Sequence, residues 1–493
     1  MILSKTDKDK YRSIKHKSAI YKAIAIFVVL FILFIGPWPV DNTHFQQTNY
    51  ATQTIQNVNA ITPDKLASQL TAGSASVEIK APTNTPLAGY SARDPKENNG
   101  ALEKIYAKAI TIANNTKTVT LLTAEILLPL EELINAIVAK TGLARSDIYF
   151  TATHTHSGPG GYAHGIVEES SMGDFSQKQF TMLVDALSSA VLKSRTDMQP
   201  ATMKYSRLEL SDKYAAQLIY NQLADDVTTG SDSHNSIHVM ELINNENVTG
   251  NKRIATLLTF SAHPTFLGRE NQKISGDYPG ALTKALEKKL GGNVMFSVGA
   301  VGGMLPAGNS KKTVKSIENQ IKQLNNMGND LSSTIADALL KTTGSPDLTG
   351  SSKIKKIIRW QTDNSSIQSE IVSVLLPFPN YRLTDNLRLS PLLVNVIMHD
   401  NDTFMHAVKI GKLVFLSYPA DYSGELAGSL EQWANDQNVY PWATSFNGEY
   451  LGYLMPSNRD AIKHYTTRDV NFYGKWTGDY FHEISKNIIL NIK

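Results

Sequence analysis

The chain is organised around one stretch, Asp147-Ile-Tyr-Phe-Thr-Ala-Thr-His154-Thr-His156-Ser-Gly-Pro-Gly-Gly161. Its apolar, β-prone beginning predicts a strand over 148–153, and a glycine-proline turn follows the two histidines at once. Side chains at positions i and i+2 of a strand point to the same side, so both imidazoles would face one point. A buried, hydrogen-bonded histidine pair is the ordinary structural alternative. The His-x-His spacing at a strand end instead favours a metal site or a catalytic site.

Two later apolar runs also end in residue types that ligate metals. Residues 253–262 lead into Ser261-Ala-His263-Pro, and residues 414–417 lead into Tyr418-Pro-Ala-Asp421. Loops at the carboxyl ends of strands cluster in space in α/β sheets, so we expect these residues to approach the first histidine pair. Asp421 has an alternative role as a helix N-cap.

The absence of cysteine narrows the chemistry of the site. It excludes disulfides, thiolate zinc sites and a cysteine nucleophile, so any metal must be held by His, Asp, Glu or Tyr. Two histidines and a carboxylate with an open position for water form a natural Zn²⁺ set. Of the 12 histidines in the chain, three lie in polar segments and are predicted to be solvated surface residues: His16, His44 and His234.

The amino-terminal segment predicts membrane attachment. Residues 1–22 are rich in lysine and arginine, and residues 23–40 are uncharged and apolar. This pattern predicts a cytoplasmic tail, a transmembrane signal anchor and an extracytoplasmic domain, with a cleaved signal peptide as the alternative. The basic tail accounts for the net charge of +3, so nothing favours nucleic-acid binding. Residues 41–72 are polar and predict a linker that holds one short helix after Thr62-Pro63-Asp64.

Strands alternate with helices from residue 73 to residue 493, so the fold class is α/β or mixed α+β with mixed sheets. The periodicity predicts strands over 75–80, 105–112, 118–122, 203–210, 237–243, 293–298 and 440–446. It predicts helices over 128–140, 180–192, 312–341, 423–437 and 479–489. Residues 355–376 and 403–417 are β-prone, and residues 347–353 predict a loop.

The chain resembles the neutral/alkaline (non-lysosomal) ceramidase family at these motifs. The resemblance begins with Ala75-Ser-Val-Glu-Ile-Lys and Leu87-Ala-Gly-Tyr90 and continues through Ala107-Lys-Ala-Ile110 and Leu122-Thr-Ala-Glu125. Its most specific part is Ala152-Thr-His-Thr-His-Ser-Gly-Pro-Gly-Gly161, which matches the family signature without substitution. It covers about residues 72–493 and implies a single large zinc-hydrolase-like domain.

The resemblance also implies roles for individual residues. His154 and His263 match the zinc histidines, Asp421 falls where the family has a glutamate ligand, and Tyr453 matches the tyrosine that approaches the zinc. His156 matches the histidine that steadies the substrate carbonyl or acts as an acid/base. Tyr465 matches the tyrosine that hydrogen-bonds that carbonyl. Tyr453 and Tyr465 have the alternative role of core aromatic residues.

Two segments depart from the family pattern, at three positions. The nucleophilic serine of the family lies in a Gly-Asp-x-Ser-Pro segment, whereas this chain has Gly302-Gly303-Met-Leu305-Pro306, so both the acid and the serine are gone. The arginine expected near Tyr220-Asn221 is replaced by Gln222. Leucine can neither attack a carbonyl nor ligate zinc, so an acyl transfer that depends on that serine is excluded.

The sequence therefore predicts a membrane-anchored, exported zinc hydrolase of amide or ester bonds in which zinc-bound water attacks the carbonyl. The resemblance implies N-acyl lipids such as ceramide as its substrates. The alternative is a catalytically inactive lipid- or glycan-binding protein with the same fold. A phosphate-binding loop at 299–303 is a weaker hypothesis, because no lysine follows at P-loop spacing.

Overall fold

The two larger sheets stack on each other between two layers of helices, and the remaining strands of the described residues form four two-stranded sheets. The computed structural model describes residues 5–223, 234–245, 253–307, 316–340, 353–398 and 402–493, with side chains from His16 onwards and Met398 as backbone only. The helices are α1 (Lys5–Phe34), α2 (Asn49–Asn59), α3 (Glu131–Thr141), α4 (Ile166–Met172), α5 (Gln177–Ser194), α6 (Asp212–Leu218), α7 (Asp277–Leu290), α8 (Ile317–Leu340), α9 (Pro391–Met398), α10 (Gly424–Asn435) and α11 (Thr477–Ile492).

The strands are β1 (Trp38–Pro39), β2 (Ser68–Gln69), β3 (Thr71–Ile79), β4 (Ile105–Ala113), β5 (Thr118–Ala124), β6 (Ile148–Ala152), β7 (Gln199–Leu210), β8 (Ile219–Asn221), β9 (Ser236–Asn244), β10 (Arg253–Phe260), β11 (Asn293–Val298), β12 (Met304–Pro306), β13 (Ile354–Thr362), β14 (Asn364–Ser365), β15 (Ile367–Leu375), β16 (Leu387–Arg388), β17 (Asp402–Ile410), β18 (Leu413–Ser417), β19 (Asp421–Tyr422), β20 (Tyr440–Thr444) and β21 (Tyr453–Leu454).

The larger sheet is mixed. Its strands follow the order β11-β10-β9-β7-β3-β4-β5-β6, and β13 also pairs with β7. The pairs β10–β11 and β5–β6 are parallel, whereas β3, β4 and β5 form an antiparallel meander. The smaller sheet has the order β15-β17-β18-β20 and ends in a parallel pair. The predicted mixed α/β class is therefore confirmed.

Successive side chains of a strand point to opposite faces of its sheet, so each sheet can pack against a different layer on each side. On β4, Ile110 and Ile112 pack toward the smaller sheet, where they meet a cluster that includes Phe415 and Trp442. Ala107 and Ala109 of the same strand face the layer that holds α3, α5, α7 and α8. The other face of the smaller sheet packs against α2, α10 and α11. The arrangement is a four-layer αββα sandwich.

Most predicted elements are present with shifts of a few residues at their ends. Helix α3 stops at Gly142, which adopts the left-handed conformation (φ 70°) and donates its N–H to Val138, as a C-terminal glycine does. The helix predicted over 312–341 corresponds to α8. Part of that prediction lies outside the described residues, as does almost all of the loop predicted at 347–353.

The amino-terminal helix ends earlier than the predicted membrane span. Helix α1 stops at Phe34, and Trp38 and Pro39 already pair with β16. The prolines at positions 37 and 39 explain this end, because proline cannot continue a helix. Its part His16–Phe34 is long and apolar enough to cross a membrane, and a signal sequence meets the same criterion.

The segment predicted as a linker packs on the domain. Helix α2 lies within it and precedes Thr62, so the helix predicted after Thr62-Pro63-Asp64 was placed wrongly. Val58 is fully buried, Thr54 accepts a hydrogen bond from the backbone of β15 at 3.0 Å, and Tyr50 packs edge-on against Tyr480 of α11. The buried face of α2 consists of a few residues at helical spacing. The segment as a whole is polar, so its composition did not indicate this face.

Replacing Val58 with alanine tests this packing. We expect Val58→Ala to lower the free energy of unfolding by about 2 kcal/mol, because two buried methyl groups are lost and a small cavity remains. Gln53→Ala on the exposed face of α2 is the matched control and should change stability by less than about 0.5 kcal/mol. Urea denaturation of the full chain measures both values. Equal values for the two variants would mean that α2 is not part of the folded core.

Candidate metal centre

The first histidine lies just beyond its strand. Strand β6 ends at Ala152, and His154 adopts the left-handed conformation with φ 60°, an uncommon state for a residue other than glycine. Its Nδ1 lies 2.9 Å from the carbonyl oxygen of Leu127, and Phe446 stacks on its ring at 3.6 Å. Because a carbonyl can only accept, Nδ1 carries the proton and Nε2 presents a lone pair.

Three imidazole rings converge on one point. The Nε2 atom of His154 lies 3.1 Å from Nε2 of His263 and 3.1 Å from Nε2 of His156. Nδ1 of His263 faces the carbonyl oxygen of Val301 at 3.4 Å, so its Nε2 also points inward as a lone pair. Two bare nitrogens at 3.1 Å repel each other unless a cation lies between them.

The expected reason for this convergence was wrong in detail. Neither histidine of the pair lies within β6, so the strand alternation does not aim them. The left-handed backbone at His154 sets the direction of its ring instead. Arg93 stabilises the position of His156 by donating a hydrogen bond to its carbonyl oxygen at 2.7 Å. Burial, followed by His263 and Arg93, lowers the pKa of His156 well below its usual value, so its ring is neutral at pH 7.

Asp421 supplies a carboxylate on the fourth side. Its Oδ1 lies 3.7 Å from Nε2 of His263 and is a buried oxygen that accepts no hydrogen bond. Its Oδ2 accepts a hydrogen bond from the hydroxyl of Tyr450 at 2.9 Å. Burial raises the pKa of Asp421 well above its usual value, and hydrogen bonds from Tyr450 and Tyr453 oppose that shift. Ser423 caps α10, so the N-cap alternative for Asp421 was wrong.

A short strand holds Tyr453 near this carboxylate, and Tyr465 begins a short 3-10 helix beside it. Strand β19 pairs in parallel with β21, and this pairing sets Asp421 opposite Tyr453. The ring of Tyr465 lies 5.7 Å from that of Tyr453, and its hydroxyl lies 3.1 Å from Nε2 of Gln222. Tyr453 is buried, whereas Tyr465 is only partly buried. The structure thus brings all six predicted site residues into one region.

Leu305 and Gln222, two of the positions that depart from the family pattern, border the same region. The backbone N–H of His263 donates to the carbonyl oxygen of Met304 at 3.0 Å, and Leu305 pairs with Tyr220 between β12 and β8. Gln222 donates its backbone N–H to Gly303 at 2.9 Å. Leu305 and Gln222 therefore stand at the edge of the histidine cluster, and position 305 offers no hydroxyl.

Several residues of the site escaped the sequence analysis. Tyr450 was not singled out from the sequence, although its place three residues before Tyr453 was a usable signal. Arg93 lies in a charged loop and Phe446 at the end of a strand, and neither has a distinguishing local pattern. Gly89 lies in the matched segment Leu87–Tyr90, and a Cβ at this glycine would meet Cα and Cβ of His156 at 2.6 Å. Gly89 allows two segments that are distant in sequence to approach each other closely, and the sequence does not indicate this approach.

A second histidine group lies in the core and corrects one prediction. His234, expected at the surface, is 4% exposed. Oε1 of Glu431 lies 2.5 Å from Nε2 of His234 and 2.6 Å from Nε2 of His238. These two nitrogens are closer to the oxygen than the roughly 3.3 Å that separates neighbouring ligands in tetrahedral zinc. Nη1 of Arg207 lies 3.6 Å from Oε2 of Glu431. The positive charge of Arg207 therefore compensates the Glu431 carboxylate, and the group is a hydrogen-bonded ion cluster.

The geometry of the first cluster fits a tetrahedral metal better. Zinc–nitrogen bonds of about 2.0–2.1 Å place neighbouring ligands roughly 3.3 Å apart, close to the 3.1 Å between the Nε2 atoms of His154 and His263. The ring tautomers set by Leu127 and Val301 and the bare Oδ1 of Asp421 have the chemistry that such a cation requires.

Comparisons with known proteins identify the family of the chain. The family model described as neutral/alkaline non-lysosomal ceramidase, N-terminal, matches residues 72–344, more than half of the chain. The chain belongs to the neutral/alkaline non-lysosomal ceramidase family. The resemblance predicted from the histidine motif is therefore confirmed, and both histidine segments, 154–156 and 263, lie inside the matched region.

Individual ceramidases are distant relatives. The neutral ceramidase of Mycobacterium tuberculosis is 24% identical over 225 residues, which cover 42% of this chain and 34% of that protein. Neutral ceramidase B of Dictyostelium discoideum is 27% identical over 171 residues, 34% of this chain and 23% of that protein. The chain thus spans about a third or less of the length of these curated relatives.

A solved ceramidase structure shares the fold. The crystal structure of neutral ceramidase from Pseudomonas aeruginosa superposes with a TM-score of 0.67 at 16% identity, covering 86% of this chain and 75% of that one. At this identity the likeness shows the fold alone. It extends well beyond the segment that the family model matches, so the ceramidase fold includes the part of the chain that carries Asp421.

Alanine in place of two glycines tests how tightly the site is built. Gly89 (φ 120°) and Gly142 (φ 70°) both adopt backbone conformations that disfavour a side chain, but only a Cβ at Gly89 meets a neighbour. We expect Gly142→Ala to cost about 1–2 kcal/mol of stability from strain alone. Gly89→Ala should cost about 1–3 kcal/mol more, because His156 must move. Chemical denaturation in the presence of a chelator measures both losses, and equal losses would contradict the close approach.

Proposed function

We propose that this protein is a membrane-anchored, exported, zinc-dependent hydrolase of amide or ester bonds in N-acyl lipids. The observation that carries the proposal is the convergence of three imidazole Nε2 atoms and the bare Oδ1 of Asp421 in a member of the ceramidase family. Such a set of lone pairs in a buried pocket requires a cation, and zinc is the cation that histidine and carboxylate ligands favour.

His154, His263 and Asp421 would hold the metal, with Tyr453 beside them. Zinc bound there polarises a substrate carbonyl and activates water at neutral pH. The hydroxyl of Tyr450 fixes Oδ2 of Asp421, which leaves Oδ1 directed toward His263. The carbonyl oxygens of Leu127 and Val301 keep the two ligand rings in the tautomer that presents Nε2.

His156 and Tyr465 would act on the substrate. Nε2 of His156 faces the cluster, and in the tautomer that carries the proton on Nδ1 it can take a proton from the attacking water and return it to the leaving nitrogen or oxygen. The partly buried hydroxyl of Tyr465 can donate to the oxygen of the carbonyl as negative charge develops there. Its contact with Gln222 holds that hydroxyl at the edge of the site.

Leu305 determines which nucleophile is available. It offers no hydroxyl, so the carbonyl must be attacked by water, and no acyl group is transferred to a serine at that position. The names of the relatives, neutral ceramidases, support a ceramide-like N-acyl lipid as the substrate class. The apolar helix His16–Phe34 supports attachment to a membrane, where such lipids reside.

A second function is favoured by the two replaced residues. Leu305 and Gln222 together remove two polar groups that the family pattern expects at the site. A ceramidase-fold protein that keeps the metal and binds a lipid or a glycan without cleaving it would also fit these replacements.

Metal analysis tests the site itself. The purified full chain should contain stoichiometric zinc, and the double variant His154→Ala/His263→Ala should lose it, because two of the ligands are gone. His164→Ala is the matched control, since this exposed histidine lies outside the cluster, and it should keep its zinc. Hydrolysis of a panel of N-acyl and ester lipids should stop in the presence of a chelator. Unchanged zinc in the double variant would refute the site, and bound zinc without turnover would favour the binding protein.

Restoring the serine tests the substrate class. Leu305→Ser places a hydroxyl beside the cluster, and we expect an increase in ceramide cleavage because a second nucleophile becomes available. Leu305→Ala, which shortens the side chain without adding a hydroxyl, is the control for the change in volume. An equal response of the two variants would show that the hydroxyl does not reach the substrate carbonyl.

A further inference from the structure

Helix α9 exposes apolar side chains to an unusual degree. Its sequence, Pro391-Leu-Leu-Val-Asn-Val-Ile-Met398, contains one polar residue. Val396 is 70% exposed, Leu392 is 40% exposed and Ile397 is 36% exposed. Leu392 and Val396 are four residues apart and share one face of the helix. A helix this apolar is normally buried, so its outer face calls for a covering partner.

Neighbouring segments extend the same surface. Leu383 and Leu387 precede α9 and are exposed, and Ile166 of α4 is 76% exposed where α4 packs beside α9. We call this surface the α9 patch: Ile166, Leu383, Leu387, Leu392, Val396 and Ile397. Scattered apolar residues at a protein surface are ordinary, whereas a contiguous group of this kind marks a contact surface.

The end of α1 is fastened to the α9 patch. The backbone N–H of Ser390 donates to the carbonyl oxygen of Ile35 at 3.0 Å, and its hydroxyl donates to that of Leu33 at 2.7 Å. Trp38 and Pro39 pair with Arg388 and Leu387 in a short antiparallel ladder. If α1 crosses a bilayer, these bonds place the α9 patch at the level where α1 leaves the hydrocarbon.

The cavity beside the patch indicates the kind of lipid. It has a volume of about 290 Å³, lies between α4 and α9, and reaches from Ile397 to Tyr450, whose hydroxyl holds Asp421. Four glutamates also line it: Glu131, Glu132, Glu168 and Glu449. Arg145 lies 3.7 Å from Glu131 and His164 lies 3.0 Å from Glu132, but among the described residues the lining itself contains no lysine or arginine. The excess of carboxylates disfavours anionic headgroups, so an uncharged or zwitterionic lipid surface fits here.

We propose that the α9 patch is a second membrane contact, which enters the headgroup–acyl boundary of the leaflet from which α1 emerges and prefers zwitterionic lipid. The contact rests on the proposed anchoring by α1. It holds the metal centre against the bilayer, because the cavity that opens at the patch ends at a residue bonded to a candidate metal ligand. An apolar surface at this boundary gains its affinity from buried apolar area rather than from charge.

The absence of cysteine allows a direct test on the full chain. Val396→Cys, Val29→Cys and Leu192→Cys each carry one polarity-sensitive fluorophore, and each variant is reconstituted into phosphatidylcholine vesicles with nitroxide-labelled acyl chains. Val29 lies in α1, and Leu192 is an exposed leucine on α5, the helix that packs against β3 and β4. We expect lipid quenching and a blue-shifted emission at 396 and 29, and neither at 192.

The outcomes separate the two proposals. If the probe at 29 is quenched and the probe at 396 is exposed to solvent, the α9 patch does not contact the membrane, whereas the proposed anchor stands. A quenched probe at 396 beside an unquenched probe at 29 overturns the anchor, and with it the proposal that the α9 patch enters the leaflet from which α1 emerges. Quenching at 396 that requires added phosphatidylserine overturns the preference for zwitterionic lipid. If the probe at 396 is shielded in detergent and the shielding increases with protein concentration, the patch contacts a second copy of the chain and the proposed lipid contact is overturned.

Discussion

The Nε2 atom of His154 lies 3.1 Å from the Nε2 atoms of His156 and His263 in a buried pocket, and much of the surrounding structure keeps the three rings there. The arrangement is unfavourable without a positive charge between the lone pairs, so the backbone must hold it. His154 adopts a left-handed conformation, and the carbonyl oxygens of Leu127 and Val301 select the ring tautomers. Conformational strain at such a residue is typical of functional sites, where the rest of the fold over-determines the geometry.

The site joins the two sheets of the sandwich. His154 and His263 follow strands of the larger sheet, whereas Asp421 follows β18 of the smaller one. The segment that holds Leu305 bridges them, because Gly302 donates to the carbonyl oxygen of Tyr422 at 2.8 Å while Met304 accepts from His263. A Cβ at Gly302 would lie 2.5 Å from the carbonyl oxygen of Asp421, so only glycine allows this approach. The stacking of the sheets therefore sets the distance between the histidines and the carboxylate.

The replacement of the family serine has a limited structural effect and a large chemical one. Leucine at position 305 takes part in the short pairing with Tyr220. In the proposed reaction, the remaining polar groups would bind a cation, orient a carbonyl and move a proton, but position 305 could not form an acyl–serine ester. The hydrogen bond from Ser390 to the carbonyl oxygen of Leu33 joins α1 to the folded domain. It therefore constrains the orientation of the apolar helix relative to the site.

The sequence by itself determined the family, most of the strands and helices, and the identity of the histidines, because hydrophobic periodicity and the His-x-His motif are properties of neighbouring residues. It could not determine the burial of His234 or the docking of α2, since each depends on partners more than a hundred residues away, Glu431 and β15. Nor could it choose between an N-cap and a site carboxylate for Asp421, or single out Tyr450 and Gly89. Those choices belong to the tertiary structure, because they depend on which distant backbones approach within a few ångströms of one another.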